Sequence, residues 1–193
     1  MKMDSKDERR DQIKRAALKV FAQNGLIGTK MSMIAKEAHI SDGLSYRYFK
    51  SKDEILAELV KDAIDGSNEA FDLIRSMPGT PLEKVRVLSN EILQEDNHHF
   101  ILMQQVMSAN DLPKEVEQLM RSYDSSIMID HLASIVAAGQ EAGQFMDGNP
   151  RELAMWYLTA ITGLMNLQTV DIEGYKRPSA DFMMRLLVKP NQT

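Results

Sequence analysis

The stretch Met31–Lys52, MSMIAKEAHISDGLSYRYFKSK, constrains the fold of this chain more than any other. Met31, Ile34, Ala35 and Ala38 recur at helical spacing and give a first short helix one apolar face, with Ala35 small enough for another helix to cross close by. At His39 the pattern breaks. A residue leaving a helix C-terminus often turns left-handed, a conformation that His tolerates better than bulky apolar residues do. Ile40 returns to the core, and Ser41 caps a second short helix, roughly Asp42 to Phe49, that carries Tyr46, Arg47 and Tyr48. Ser51-Lys52-Asp53-Glu54 then reads as a capping box opening a third helix, so Lys52 stands at a helix N-terminus where backbone N–H groups already favour anions. Two short helices about a tight turn, followed by an amide-and-lysine anion site, form a unit suited to laying its second helix in a major groove and its flanks on phosphate.

Ile34-Ala35-Lys36-Glu37-Ala38, then Ile40-Ser41, Gly43 and Tyr46-Arg47-Tyr48-Phe49-Lys50-Ser51-Lys52, resemble the DNA-binding signature of the TetR family of bacterial transcriptional regulators, at that family's spacing. The resemblance departs at three places. His39 stands where the family usually has Gly, Lys30 where it has Thr or Ser (with Thr29 one place early), and Leu44-Ser45 where it has Thr-Leu. The resemblance implies an all-α fold: a three-helix helix-turn-helix DNA-binding head at residues 1–52, and a larger helical effector-binding and dimerisation body at 53–193. It further implies a homodimer on a palindromic operator, working as a repressor. Leu44, Tyr46 and Arg47 are then the expected base-edge contacts, and Lys30, Tyr48, Lys50 and Lys52 the phosphate contacts. Ser41, Asp42, Gly43 and Ser45 complete the DNA-facing set.

A net charge of −5 argues against a nucleic-acid partner until it is divided along the chain. Residues 1–52 hold 12 Lys and Arg against 6 Asp and Glu, a net of +6, while 53–193 hold 11 against 22, a net of −11. Only one end of such a molecule is attracted to phosphate. Cysteine is absent, which excludes disulfides and thiolate metal sites. The charged start and the lack of a membrane-length apolar run or signal-peptide core lead to the expectation of a soluble, cytoplasmic protein.

In chain order, Lys6 to Asn24 reads as a helix with Ile13, Ala17, Val20 and Phe21 inward and Gly25 at its end. Lys6, Arg9 and Arg10 are either a basic arm or solvated charge. A long helix follows from Ser51 to about Met77, with Gly66 its weak point; it is the natural lever between head and body. Pro78-Gly79-Thr80-Pro81 breaks the chain, and Thr80-Pro81-Leu82-Glu83 restarts it with a capping box. Further helices are predicted over Asn97 to Ala109, Pro113 to Gly143, Pro150 to Val170 and Pro178 to Val188. The Met155–Leu167 section is apolar nearly all round, which calls for burial in a core or against a partner subunit.

Fourteen methionines, several in helices that should pack together, suit an adaptable apolar pocket as well as they suit ordinary core filling. The resemblance tips the balance, because the bodies of that family enclose effectors. Phe71, His99, Met103, Met107, Met120, Tyr123, Ile127, His131 and Trp156 are the expected ligand-binding residues for a small, largely apolar effector. Leu158, Ile161, Thr162, Met165, Phe182, Met183 and Leu186 are those expected at the dimer interface. His99 with His131 as metal ligands rests on residue type alone, and no cofactor or metal is expected. No nucleophile beside a base, carboxylate pair or phosphate loop can be argued from spacing, which speaks against an enzyme. The alternatives are a similar regulator answering to a protein partner, and an all-helical enzyme or carrier.

Overall fold

The computed structural model describes residues 5–93, 98–124, 126–167 and 178–189. Among these the chain is all-α: ten helices in order, with a single isolated antiparallel bridge between Phe145 and Val188 and no strand. The helices pack into two units. Residues up to Asp65 group with His98–Tyr123, and Gly66 onward groups with the segment from Asp124. The first unit thus extends beyond residue 52 and takes in two helices from later in the chain.

In the first unit, α1 (Ser5–Gly28) is interrupted at Gly25, whose left-handed φ of 73° only glycine adopts without strain. Thr29 is buried, and its hydroxyl donates back to the Gly25 carbonyl at 2.8 Å, closing the turn. Next come α2 (Met31–Glu37) and α3 (Asp42–Tyr48), and then α4 (Lys52–Ser76), whose residues through Asp65 belong here. Ile13, Ala17 and Phe21 of α1, Ile34 of α2, Phe49, and Ile55 and Leu59 of α4 are all buried in one apolar cluster. Leu102 and Val106 of α6 (His98–Ser108) and Val116 of α7 (Lys114–Ser122) complete it. Burying one such side chain stabilises by about 1.5–3 kcal/mol, so this cluster outweighs the weak helix propensity of seven-residue segments.

The second unit begins with the remainder of α4. α5 (Pro81–Ile92) opens with the predicted capping box: Thr80 Oγ1 accepts from Glu83 N, and Glu83 returns a carboxylate oxygen to Thr80 N at 2.7 Å. α8 (Ser126–Glu141) packs on α5 and on α9 (Pro150–Leu167), which Asn149 caps by accepting from the Arg151 and Glu152 amides. α10 (Ala180–Met184) packs on α5, with an Arg86–Asp181 ion pair at 2.7 Å.

Two boundaries differ from the sequence expectation. The predicted run from Pro113 to Gly143 is two helices, because Tyr123 is extended and Asp124 Oδ1 accepts from Ser126 N at 2.9 Å to start α8 afresh. The predicted helix Pro178–Val188 keeps only five helical residues; beyond Met184 the chain turns and pairs back, with Met146 N donating to Leu187 O at 2.7 Å. Val170, the expected end of α9, lies outside the described residues.

Candidate nucleic-acid interface

α2 and α3 are joined through His39, which takes the left-handed φ of 53° that the break in pattern predicts. The Ile40 amide reaches back to Ala35 O at 3.0 Å and the His39 amide to Lys36 O at 3.1 Å, so the turn is closed by the last carbonyls of α2. Ser41 then caps α3 by accepting from Leu44 N at 3.3 Å, an interaction worth about 1 kcal/mol.

The faces of α3 divide sharply. Ser45 and Phe49 are buried, Leu44 and Tyr48 half-buried, and Asp42, Gly43, Tyr46, Arg47 and Lys50 exposed. The exposed positions recur every three to four residues and form one outward stripe, flanked by exposed Ser41. Ser45 must be withdrawn from the DNA-facing set. Its hydroxyl donates to Asp42 O at 2.7 Å inside the core, which is how the Leu44-Ser45 departure is accommodated.

The exposed cations of α2, of its N-cap and of the α3 stripe are unpaired among the described residues. Lys30, at the N-cap of α2 without a capping bond, is exposed, as are Lys36, Arg47 and Lys50, and none has an ion-pair partner among the described residues. Lys36 was not among the expected contacts. Glu37, the one acid of α2, is bound at 2.7 Å by Lys19, which holds its carboxyl below the ordinary range.

Lys52 is placed differently from the expectation of a free phosphate contact. Its ammonium donates to Leu26 O at 2.8 Å, Thr29 O at 2.9 Å and Ile27 O at 3.3 Å, so all three of its protons are engaged at the end of α1. Ser51 does receive the Glu54 amide at 3.2 Å, but the Glu54 carboxylate reaches Lys50 N at 2.7 Å, one residue earlier than the usual box. Arg10 belongs to no loose arm. It donates to Tyr48 O at 2.7 Å, pairs with Glu58 and lies 4.1 Å over the Phe49 ring.

A helix-turn-helix closed by a left-handed residue, with an exposed aromatic and cationic stripe on its second helix, matches the family model "Bacterial regulatory proteins, tetR family" over residues 13–59. Residues 13–59 are those of a TetR-family transcriptional regulator. The chain is 27% identical over 172 residues to the fatty acid metabolism regulator protein of Bacillus subtilis, covering 83% of this chain and 86% of that one. Against the HTH-type transcriptional repressor KstR2 of Mycolicibacterium smegmatis it is 31% identical over 110 residues, 55% of this chain and 54% of that repressor. In fold it is similar to a protein from Saccharomonospora viridis solved in complex with choline, with a TM-score of 0.73 at 21% identity over 95% of this chain and 99% of that one.

The residues expected to hold an effector are spread over both units. In the first unit Met103 and Met120 pack against the apolar core, Met107 is 55% exposed, and Tyr123 is half-buried. His99 is partly open to solvent, yet desolvation of the rest of its ring lowers its pKa against the opposing pull of Asp62. In the second unit the Phe71 and His131 rings meet, centroids 5.8 Å apart, and His131 Nδ1 is buried without a hydrogen-bond partner, 3.9 Å from an Asp72 oxygen. Ile127 is exposed, and Trp156 is 72% exposed, so neither lines an interior.

The expected interface residues divide too. Ile161, Met165 and Met183 are buried within the chain, and Leu158 and Thr162 half-buried, whereas Phe182 and Leu186 are about half exposed. The reason is the phase of α9: Ala154, Tyr157, Ile161 and Met165 face inward, which turns Met155, Trp156, Thr159 and Gly163 outward. Among the described residues no helix is long and apolar enough to cross a membrane.

Proposed function

We propose that the chain is a repressor that reads a palindromic operator as a homodimer and is controlled by a small, largely apolar effector. The observation that carries this reading is the outward stripe of α3, where Tyr46, Arg47 and Lys50 stand exposed and the two cations have no ion-pair partner among the described residues. Arg47 has the fork that reads guanine, Tyr46 the ring and hydroxyl that meet a base edge or thymine methyl, and the lysines and Tyr48 the reach for phosphate. Residues 1–52 are the reading head and 53–193 the part that answers to ligand and partner.

One such head buries too little surface for tight specific binding, and helix-turn-helix proteins pair across two half-sites about 34–36 Å apart. The outward apolar residues of α9 and of the α10 region, Met155, Trp156, Phe182 and Leu186, fit burial against a second copy. An effector acts by binding one head spacing better than another, and shifts the equilibrium by no more than that difference in affinity. α4, which runs through both units, is the natural carrier of the change. The Phe71–His131 contact, with the orphaned Nδ1, supports an apolar site with one polar anchor. Similarity to a fatty acid metabolism regulator over most of the chain favours an acyl or similarly apolar compound, and the choline held by the Saccharomonospora protein makes a small organic cation the competing class.

Selection of bound duplexes from a random pool at low salt tests the reading. Recovered sites with two-fold symmetry and half-sites one helical turn apart are expected. Absence of any enriched duplex overturns it. Thermal shifts with long-chain fatty acids, their coenzyme A esters and choline then separate the effector classes.

A further inference from the structure

In the first unit three helix ends are held by side chains from a different helix. Gln12 of α1 donates to Ala38 O, the last carbonyl of α2, at 2.7 Å. Arg10 of α1 donates to Tyr48 O, the last helical residue of α3, while its second nitrogen pairs with Glu58 of α4 and its central carbon lies 4.1 Å over the Phe49 ring. Lys52 of α4 donates to Leu26, Ile27 and Thr29 at the end of α1. The last carbonyls of a helix have no partners within it, and those of the turn beyond the Gly25 break are likewise outside the main run of α1, so a side-chain donor placed there binds groups the helix leaves open.

We propose that Lys52 and Arg10 are positioning residues for DNA recognition: they fix the pitch of α3 against α1 and α4, and neither touches DNA. The inference rests on the reading of α3 as the base-reading helix. An ammonium has three N–H donors and no more. For Lys52 to take a phosphate its ammonium must release the carbonyls it binds. The residue type agrees with the role. Three carbonyls converging from one turn suit a compact tetrahedral donor, whereas a planar guanidinium spreads its donors in a fork and cannot meet all three. Arg10 shows the converse. Its carbonyl and carboxylate targets are met by two different nitrogens of the fork while its central carbon lies over the Phe49 ring, a set that the single nitrogen of a lysine does not reproduce.

Lys52→Arg therefore separates positioning from phosphate contact, since arginine binds phosphate at least as well as lysine does. Wild type, Lys52→Arg, Lys52→Met and Arg10→Lys are compared by thermal melting without DNA. Their affinity for a selected duplex is then measured across a salt series, well below every melting temperature so that all are folded. The expected result is a lower Tm and at least a tenfold loss of affinity in all three variants, with the wild-type salt slope retained. Wild-type affinity and Tm in Lys52→Arg would overturn the proposal, as would a slope reduced by about 0.9 per subunit in Lys52→Met at unchanged Tm. Affinity equal to wild type in folded variants of lowered Tm would also overturn it, leaving only a structural role. Should Lys52→Met not fold, Lys52→Gln, which keeps two donors, takes its place. Failure of the wild type to bind any duplex refutes the DNA reading itself and is seen before any variant is compared.

Discussion

Phe145 lies across Gly139 so closely that a β-carbon at 139 would stand 2.0 Å from its Cδ2 and 2.3 Å from its Cε2. The contact locks the turn after α8: the Gly139 carbonyl accepts from Gln144 N at 2.8 Å and Phe145 N at 3.2 Å, and Phe145 bridges to Val188. Gly139→Ala is thus an overpacking change in a buried place, expected to cost about 1–3 kcal/mol in urea unfolding. Because the clash is with one ring, Gly139→Ala combined with Phe145→Leu should lose less than the sum of the two single changes. Additive losses would show that the ring simply moves aside.

The same unit carries a pH-sensitive group. Tyr157 is buried, with its hydroxyl 2.5 Å from Ser89 Oγ, which in turn donates to Val85 O at 2.6 Å. Burial pushes the Tyr157 pKa up to about 12, and the hydrogen bond with Ser89 offsets only part of this. An unfolded tyrosine ionises near pH 10, so between about pH 10 and about pH 12 the unfolded state loses a proton that the folded state keeps. The stabilisation is complete below that window and lost as pH rises through it, about 2–3 kcal/mol in all. Tyr157→Phe should lower stability modestly at neutral pH and flatten the alkaline limb. An equally steep limb in the variant would assign it to another group.

What the sequence made legible is what local spacing controls. The turn at His39, the Ser41 cap and the Thr80–Glu83 box all join residues within a few positions of each other, and each stands where periodicity and capping chemistry put it. The Asp124 cap was local as well; the Tyr123-Asp124-Ser125-Ser126 run was a readable signal, hidden by apolar spacing on both sides. Lys52 and Arg10 were illegible for a different reason. Their partners lie 26 and 38 residues away, and a lysine at a helix N-terminus looks the same whether it faces phosphate or another helix's carbonyls. α9 was illegible because a helix apolar all round carries no polar face to fix its phase, so Trp156 and Ile161 could not be told apart as outward and inward.

Trp156 is the only tryptophan in the chain and is 72% exposed, which makes it a reporter for the proposed dimer. If a second copy covers the outward face of α9, its emission should shift to the blue and resist quenching as concentration rises. Trp156→Arg places a charge in that contact and should give a monomer by sedimentation, with operator affinity falling by more than the loss from one half-site because avidity goes with it. Emission unchanged across a thousandfold dilution would place the dimer contact elsewhere.

Arg47 and Lys50 share the exposed stripe of α3 but should fail in different ways when removed. Lys50 is a point charge at the helix end; Lys50→Met should weaken binding to every duplex alike and lower the salt slope by about 0.9 per subunit, since one fewer counterion is released. Arg47 sits one turn deeper in the stripe with a fork that matches the O6 and N7 of guanine, so Arg47→Ala should cost about 1–3 kcal/mol on the preferred operator and far less on variants changed at one or two symmetric base pairs. The expected signature is a crossing: Lys50→Met keeps the ranking of sites and loses slope, whereas Arg47→Ala keeps most of the slope and loses the ranking. Binding of both variants to a panel of single-base operator changes at two salt concentrations reads it directly. A uniform loss for Arg47→Ala would put its guanidinium on the phosphate backbone and leave Tyr46 as the base-reading side chain of the stripe.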